Sequence, residues 1–319
     1  MNMQLVTILI PTYNQTRYLK QAVESALSQD YPHLEVIICD DASLDWDPNL
    51  LAEFAADPRL RIHRNQCNLG RVGNYRQGLY DLASGYWVLV LDGDDFLNER
   101  GYIARAMQIT AADAGIDLVF SNAARLKEKD TGPLLAPLGN KTLSTVMEGT
   151  ELFLKLAHED VSMFHNTALY KRGKAITLDF YRRNIVSSDW ESLHRYILTG
   201  KVVFIDTIAS VWRIHGMNTT ENLSAQDRSD NLQAITGPYL AAQGMGFFKS
   251  SILEDWLSNR LWMMAFNDVR SLLKIGDRNE LAHYISALEG ISPAIAQRIR
   301  RSPKLWLRCI STRLARAKN

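Results

Sequence analysis

The stretch VTILIPTYNQTRYLKQAVESALSQDYPHLEVIICDDAS, residues 6–43, decides the fold class. An apolar run over residues 4–10 ends at Pro11 and predicts a buried β-strand. A helical stripe of apolar residues follows from Thr16, which we expect to cap that helix. A second apolar run, residues 34–39, predicts another buried strand. Because both strands are apolar on both faces, the stretch predicts a parallel strand–helix–strand unit.

The same alternation continues along the chain. Residues 60–64 and 86–91 predict two further strands, with a short helix expected from Asp47 and a helical stripe between residues 72 and 82. The pattern predicts an α/β fold with a mostly parallel sheet, and ligands bind such sheets beyond the carboxyl ends of the strands. Polar residues stand at three of these ends: Thr12, Tyr13 and Asn14; Asp40 and Asp41; Asp92, Asp94 and Asp95.

Beyond residue 120 the alternation is less regular. Residues 127–148 are rich in Gly, Pro, Lys and Thr and predict a long loop. Strands are expected at residues 166–170, 202–205 and 209–214, with a helix near residues 189–198. From about residue 227 onward the pattern is helical throughout.

The composition is that of an ordinary globular protein. Of 319 residues, 46% are hydrophobic and 22% charged, which excludes disordered, collagen-like and coiled-coil classes. Three cysteines are too few for a disulfide framework or a zinc module, and they favour a reducing compartment. No apolar run reaches the roughly 18 residues of a membrane-spanning helix, and the first residues carry no secretion signal. We therefore expect a cytoplasmic protein.

The net charge of +1 conceals an asymmetry between the two parts of the chain. Residues 226–319 carry 14 basic and 8 acidic side chains, whereas residues 1–225 carry 22 and 27. Residues 291–319 contain eight basic residues and no acidic one. An acidic body excludes nucleic acid as the expected partner, and the basic end predicts contact with an anionic surface.

Two groups of acids point to the chemistry. Asp92, Asp94 and Asp95 follow an apolar strand, and hard oxygen ligands of this kind hold Mg²⁺ or Mn²⁺ on substrate phosphates. The alternative is a solvated turn whose aspartates cap a helix near Asn98. Asp41, after Asp40, could accept from a nucleobase N–H, or the pair could simply form a capped turn. Together the groups predict a nucleoside-diphosphate site, and no phosphate-binding glycine motif competes with it.

Several ordered motifs resemble the family 2 glycosyltransferases, which have the GT-A fold. The resemblance covers about residues 4–220. It rests on the stretch 6–43, NLGRVGNYRQGL at 68–79, GYWVLVLDGDDFL at 85–97, SSDWESLHRYILTGKVVFI at 187–205 and WRIHGMNTT at 212–220. It implies an inverting transferase that moves a sugar from a nucleoside-diphosphate donor to a hydroxyl group.

The resemblance also implies a donor site. Tyr13 would stack on the base, and Asp41 would bind the base edge, which is uracil in the best-known members. Arg76 would lie near the nucleotide, and Asp94 would contact the ribose or the diphosphate. The implied donor-binding set is Pro11, Thr12, Tyr13, Asn14, Asp41, Arg76, Asp92 and Asp94. Because a carboxylate accepts the N3–H of uracil or thymine, we expect a UDP-sugar first and a dTDP-sugar next.

For the metal, Mn²⁺ or Mg²⁺, the resemblance implies Asp95 as a ligand and His215 as a residue that joins it or closes over the diphosphate. Asp92, the first acid of the D-x-D motif, would act on the metal indirectly, through the groups that coordinate it.

For the catalytic base, the resemblance implies Asp189, although Ser188 stands where the family commonly has Glu. Asp160, in a literal Glu-Asp pair, is the alternative, but it precedes the segment that the base normally follows. Asp189 could instead be an ordinary first-turn acid of a helix. Trp190, Glu191 and Arg213 are candidates for acceptor binding or support, with Glu191 otherwise a surface acid.

The resemblance suggests a GT-A domain over residues 1–225, with a nucleotide-binding half (1–98) and an acceptor-binding half (99–225). Residues 226–319 would form a helical region with a basic end. The sequence lacks the QxxRW motif and the spanning helices of processive synthases, so we expect a single transfer to a glycan or a lipid-linked acceptor. The apolar stretch from Trp256 to Phe266, with Trp306, Leu307 and Leu314, fits a packing layer, peripheral contact with an anionic membrane, or a homodimer interface.

Two other functions are weighed against this one. A nucleotidyltransferase or sugar-nucleotide pyrophosphorylase would carry a glycine- and basic-rich loop after the first strand, where this chain has PTYNQTRY. An inactive sugar-nucleotide-binding module would have lost acids such as Asp94, Asp95 and Asp189, which are present.

Overall fold

The computed structural model describes residues 3–47, 49–128, 140, 143–158, 160–218 and 223–305. The chain divides into two compact units. The sheet unit comprises Met1–Lys155, Asp160–Asn184 and Ser192–Gly216, and the helical unit comprises Leu156–Glu159, Ile185–Glu191 and Met217–Asn319. The boundary that the sequence suggests at residue 225 stays a prediction.

Strands and helices alternate through the first two thirds of the chain. In chain order they are β1 (Val6–Thr12), α1 (Thr16–Leu27), β2 (Leu34–Asp40), β3 (Leu60–Arg64), α2 (Arg71–Gln77), β4 (Trp87–Val90), β5 (Phe96–Leu97), α3 (Tyr102–Ala112), β6 (Ile116–Lys127), β7 (Val146–Glu148), α4 (Gly149–Lys155), β8 (Leu169–Lys171), α5 (Arg172–Thr177), α6 (Ser188–Tyr196) and β9 (Lys201–Ile214).

These strands form one mixed sheet of nine strands. Its order is β3-β2-β1-β4-β8-β6-β9-β5, and β7 also pairs with β9. Strands β1 to β4 run parallel, as do β6 and β9, whereas β8, β5 and β7 are antiparallel to their neighbours. The α/β class predicted from the sequence is confirmed.

The register of the central strands brings the polar strand ends together. Every residue of β1 is buried, and Thr12 pairs with Asp40 at the end of β2. Val6 at the start of β1 pairs with Trp87 at the start of β4. Since the three strands are parallel and in register, the residues that follow them emerge at one edge of the sheet.

The helical unit has its own packing. Its helices are α7 (Ala225–Asn231), α8 (Gln233–Met245), α9 (Ser250–Ile275), α10 (Arg278–Ile291) and α11 (Pro293–Arg300). At its centre Arg228 is paired with the buried carboxylate of Asp268 (2.7 Å), which also accepts from the Tyr284 hydroxyl (3.0 Å). A cavity of about 490 Å³ is lined by Trp262, Met263, Phe266, Asn267 and Lys304. No helix in the described part of the chain is long and apolar enough to span a membrane.

Some local predictions from the sequence are wrong. The two strands expected at 202–205 and 209–214 are one strand, β9, whose pairing with β6 shifts register near Asn122. The helix expected from Asp47 is a turn followed by a 3₁₀ helix, Ala52–Phe54. Thr16 does not cap α1, because its hydroxyl donates to Asp45 (2.7 Å). Most of the loop predicted over 127–148, and Pro48, lie outside the described residues.

Candidate functional site

The loops after β1 and β2 brace each other. Asn14 and Ala42 have φ angles of 53° and 62°, a left-handed conformation that is uncommon for residues with a side chain. The Asn14 N–H donates to Ser43 Oγ (2.8 Å), and the Leu44 N–H donates to Asn14 Oδ1 (2.8 Å). Tyr13, 45% exposed, lies in this braced turn.

The two aspartates at the end of β2, Asp40 in the strand and Asp41 just after it, have different roles. Asp40 is buried and accepts from Arg64 Nε (2.9 Å), so it holds the turn. Asp41 is also buried, but one of its oxygens, Oδ1, accepts from both Asn65 Nδ2 (2.9 Å) and the Leu69 N–H (2.8 Å). Its second oxygen, Oδ2, has no hydrogen bond within the described residues. Asp41 is therefore fixed in place with one acceptor left over.

The D-x-D loop packs closely on the end of β1. The Gly93 N–H donates to Pro11 O (3.0 Å). A Cβ atom on Gly93 would lie 2.7 Å from Thr12 Oγ1 and 2.8 Å from Thr12 Cβ, closer than side chains can approach. The middle position of this motif must therefore be glycine, and Pro11 and Thr12 support the loop. The loop continues into β5, and the next helix, α3, begins at Tyr102, so the alternative in which these aspartates cap a helix near Asn98 is wrong.

Asp95 is an anchor inside the protein. Its Oδ1 accepts from the Arg213 N–H (2.9 Å), and its Oδ2 accepts from Asn166 Nδ2 (2.8 Å). Burial raises the pKa of Asp95 well above its usual value, and the neighbouring Asp94 and Asp92 raise it further. Because both oxygens are bound to protein N–H groups, Asp95 ties the D-x-D loop to β9.

Asp94 faces the histidine predicted from the sequence. Its Oδ2 lies 2.9 Å from His215 Nε2, and the His215 ring stacks on Tyr18 with centroids 4.8 Å apart. Burial and the nearby Asp92 raise the pKa of Asp94. A carboxylate beside an imidazole fits Mn²⁺ as a donor set, and a bound cation would offset the crowded negative charge. The described residues contain no group of three or more metal-ligating side chains.

Arg213 contacts two acids of the D-x-D loop, Asp94 and Asp95. Its backbone N–H donates to Asp95, and its Nε donates to Asp94 O (3.0 Å). Its Nη2 donates to Gln21 Oε1 (2.6 Å), and the guanidinium lies 4.9 Å from the ring centre of Tyr18. Arg213 therefore holds the D-x-D loop in place through hydrogen bonds.

The remaining donor-site candidates lie on or next to α2 and β4. Asp92 accepts a hydrogen bond from the Tyr75 hydroxyl. Arg76 donates to Asp179 Oδ1 (2.7 Å) and Phe180 O (2.9 Å). That ion pair lowers the pKa of Asp179 and raises that of Arg76. In this structure Arg76 ties α2 to the turn at 179–180, and its contact with a nucleotide stays a prediction.

The predicted base and its neighbours belong to the helical unit. Asp189 lies half-buried in the first turn of α6, and Trp190 is 40% exposed with Arg260 beside its ring (5.7 Å). Glu191 is not a surface acid, because it is fully buried and packs so closely on Gly237 that a Cβ there would lie 2.7 Å from Glu191 Oε1. Asp160 is exposed, and Glu159 lies outside the described residues.

Several residues of the site carry no signal in the sequence alone. Asn65, Tyr75 and Asn166 position Asp41, Asp92 and Asp95 through side-chain hydrogen bonds. The Asn166–Asp95 contact joins residues 71 positions apart. No pattern of spacing or polarity in a single chain indicates such a pair.

Comparison with known proteins gives matches over most of the chain. The family model described as "Glycosyl transferase family 2" matches residues 7–173, just over half of the chain. The chain is 44% identical to the Escherichia coli "Chondroitin synthase" over 29% of its length, and 30% identical to the Campylobacter jejuni "GalNAc(5)-diNAcBac-PP-undecaprenol beta-1,3-glucosyltransferase" over 60%. These alignments cover 13% and 60% of the two relatives.

Solved structures extend the likeness to nearly the whole chain. Staphylococcus aureus TarS 1–349 in complex with UDP-GlcNAc superimposes with a TM-score of 0.69 at 16% identity, over 92% of this chain and 82% of that one. The mannosyltransferase PcManGT from Pyrobaculum calidifontis, in complex with GDP-Man and Mn²⁺, gives 0.55 at 18% identity, over 98% and 87%. At these identities the likeness shows a shared fold.

Proposed function

The chain belongs to glycosyl transferase family 2 and is a glycosyltransferase, and from this premise we propose its donor and mechanism. It moves a sugar from a UDP-sugar, or next a dTDP-sugar, to a hydroxyl of a glycan or lipid-linked acceptor, with inversion at the anomeric carbon. The observation that carries the proposal is Asp41, a fixed carboxylate with one acceptor oxygen left over at the sheet edge. Membership of this family favours a glycosyltransferase over the two alternatives, a pyrophosphorylase or nucleotidyltransferase and an inactive binding module.

The nucleobase of the proposed donor follows from the hydrogen-bonding capacity of the Asp41 carboxylate. Asp41 Oδ2 can only accept a hydrogen bond, and uracil and thymine present an N3–H whereas neutral cytosine does not. Tyr13, exposed on the neighbouring turn, offers a ring for stacking. The TarS structures hold UDP and UDP-GlcNAc in this fold, which fits the proposed donor, whereas PcManGT holds GDP-Man in it, so the preference for uracil rests on Asp41.

We place the divalent cation, Mn²⁺ or Mg²⁺, on Asp94 and His215. The resemblance implies Asp95; we favour Asp94 because it faces His215, whereas the Asp95 oxygens each accept a protein N–H group and anchor the loop to the fold. Asp94 and His215 face each other across 2.9 Å. A cation bound there would supply positive charge for the diphosphate leaving group. The Mn²⁺ complex of PcManGT supports a metal in this fold.

Asp189 is the proposed general base. It would take the proton of the acceptor hydroxyl as that oxygen bonds to the anomeric carbon of the donor. The bond from that carbon to the diphosphate oxygen breaks in the same step, and the nucleoside diphosphate leaves with the electron pair. Asp160 is the weaker candidate, because it is exposed and lies outside any helix or strand.

Peripheral contact with an anionic membrane is proposed for the helical unit. Residues 291–319 carry eight basic side chains and no acidic one, and Arg298 lies 3.8 Å from the ring centre of Trp262, beside the cavity. Each basic group near an anionic leaflet contributes about 1 kcal/mol. Truncation after Gly290 should abolish sedimentation with phosphatidylglycerol vesicles. If the full-length protein does not bind vesicles, a lower Tm on truncation would favour a packing role, which the buried Ile295, Ala296 and Ile299 of α11 fit, and a change of oligomeric state would favour a homodimer interface.

A panel of nucleotide sugars tests the proposed donor. The protein is incubated with UDP-, dTDP-, GDP- and CDP-sugars and Mn²⁺, and free nucleoside diphosphate is measured. We expect release from a UDP-sugar, with loss of activity in EDTA. Release only from GDP- or CDP-sugars, or full activity in EDTA, would contradict the proposal.

A further inference from the structure

The first acid of the D-x-D motif is held by a tyrosine on α2. The Tyr75 hydroxyl donates a hydrogen bond to Asp92 Oδ1. The other oxygen of this carboxylate, Oδ2, has no hydrogen bond within the described residues. Asp92 thus shares the arrangement of Asp41, in which one oxygen is fixed by the protein and the other is left over.

The ring of Tyr75 is itself held in place. It is only 5% exposed and packs against Tyr181 and His165, with ring centroids 5.2 and 5.8 Å away. His165 Nε2 lies 2.8 Å from the Tyr181 hydroxyl, so these two rings are fixed to each other. The guanidinium of Arg71 lies 5.2 Å from the centre of the Tyr75 ring. The direction of the Tyr75 hydroxyl is therefore set before any ligand binds.

We infer that Tyr75 is a positioning residue for donor binding. It fixes Asp92 so that Oδ2 accepts a hydrogen bond from a hydroxyl of the bound nucleoside-diphosphate donor. Without the Tyr75 hydroxyl, the Asp92 side chain would rotate among its rotamers, and binding would have to restrict it again. This inference rests on the proposed function, since it requires that the donor bind at this edge of the sheet.

Replacing Tyr75 by Phe isolates the hydroxyl. The ring packing on Tyr181 and His165 is kept, and the hydroxyl's hydrogen bond to Asp92 is lost together with its weaker 3.5 Å contact from Arg71 Nη1. Hydrogen bonds to charged groups are among the stronger ones, so we expect UDP to bind about tenfold more weakly. The variant should raise KM for the donor and change kcat little, because the group acts on binding.

Tyr31 provides a matched control. It is 6% exposed, and its hydroxyl donates to Gln4 O (2.6 Å), next to the start of β1 and away from the D-x-D loop. Tyr31→Phe removes a buried tyrosine hydrogen bond, as Tyr75→Phe does. The two variants should lose similar thermal stability, and only Tyr75→Phe should weaken UDP binding.

The experiment is calorimetric titration of UDP, with Mn²⁺ present, into full-length parent protein, Y75F, Y31F, D92A and the double variant Y75F/D92A. We expect Y75F and D92A each to weaken binding and the double variant to match D92A, because Tyr75 acts through Asp92.

Unchanged binding in Y75F, equal weakening in Y31F, or additive losses in the double variant would overturn the inference. If D92A weakens binding and Y75F does not, this inference alone fails. If the parent protein binds no nucleotide, the proposed function fails with it.

Discussion

Replacing Asp95 by Ala should destabilise the protein rather than only remove a metal ligand. The carboxylate is 4% exposed and accepts N–H groups from Arg213 (2.9 Å) and Asn166 (2.8 Å). Alanine would leave both buried donors without an acceptor, at about 2 kcal/mol each. A total of about 4 kcal/mol lowers Tm by roughly 8–16 °C in a folding unit of about 150–250 residues, the range into which the sheet unit falls.

Asp95→Asn gives a sharper comparison, because asparagine can restore both contacts. Its amide oxygen accepts from the Arg213 N–H, and its NH₂ donates to Asn166 Oδ1 once the Asn166 amide turns by 180°. Tm should therefore return most of the way to that of the parent protein, and Mn²⁺-dependent UDP binding should be retained. Asp94→Asn should show the opposite, with Tm nearly unchanged and the Mn²⁺ dependence lost.

Differential scanning fluorimetry and calorimetric titration of UDP, with and without Mn²⁺, measure both properties on the same preparations. The anchoring role of Asp95 is refuted if Asp95→Ala keeps the parent Tm. It is equally refuted if Asp95→Asn loses Mn²⁺-dependent binding as completely as Asp94→Asn does.

Three further outcomes are expected. The parent protein should bind UDP more tightly than CDP in calorimetric titrations, because Asp41 accepts the uracil N3–H, and equal affinities would contradict this role. Asp189→Asn should lower the transfer rate about 10²–10⁴-fold with UDP binding kept, and an unchanged rate would exclude Asp189 as the base. Although burial opposes it, hydrogen bonds from Lys171 and Lys174 hold the pKa of Asp117 below its usual value. The stability that this carboxylate contributes is therefore present above about pH 4 and lost as the pH falls through the lowered pKa. In urea unfolding, the advantage of the parent protein over Asp117→Asn should shrink from pH 7 to pH 3, and an advantage that does not depend on pH would contradict the assignment.

The parallel part of the sheet could be predicted because its strands are locally encoded. β1 and β2 are apolar on both faces, and their apolar runs stop at Pro11, one residue before β1 ends, and at Asp40, where β2 ends, so the sequence signals the strands and nearly their ends. The sequence pattern does not reveal the full length of β6, because its second half carries polar residues such as Asn122 and Arg125. β9 was divided in two at Asp206, where its register against β6 shifts.

The position of the D-x-D loop could be predicted from the sequence, but the contacts that each of its aspartates makes could not be predicted. Asp94 and Asp95 are neighbours in the chain, yet one faces His215 and the other faces Arg213 N and Asn166. These partners lie 71 to 121 positions away, so only the folded sheet distinguishes the two carboxylates. The sequence likewise leaves open whether Glu191 supports the site or is a surface acid, because its burial depends on close packing against Gly237, 46 positions away.

A crystal grown with UDP and Mn²⁺, measured at the manganese absorption edge, tests the proposed site most directly. We predict an anomalous peak in contact with the Asp94 carboxylate, His215 Nε2 and the diphosphate, with the uracil N3–H on Asp41 Oδ2. A manganese ion bound by Asp95, or a nucleotide bound away from the ends of β1 and β2, would contradict the account.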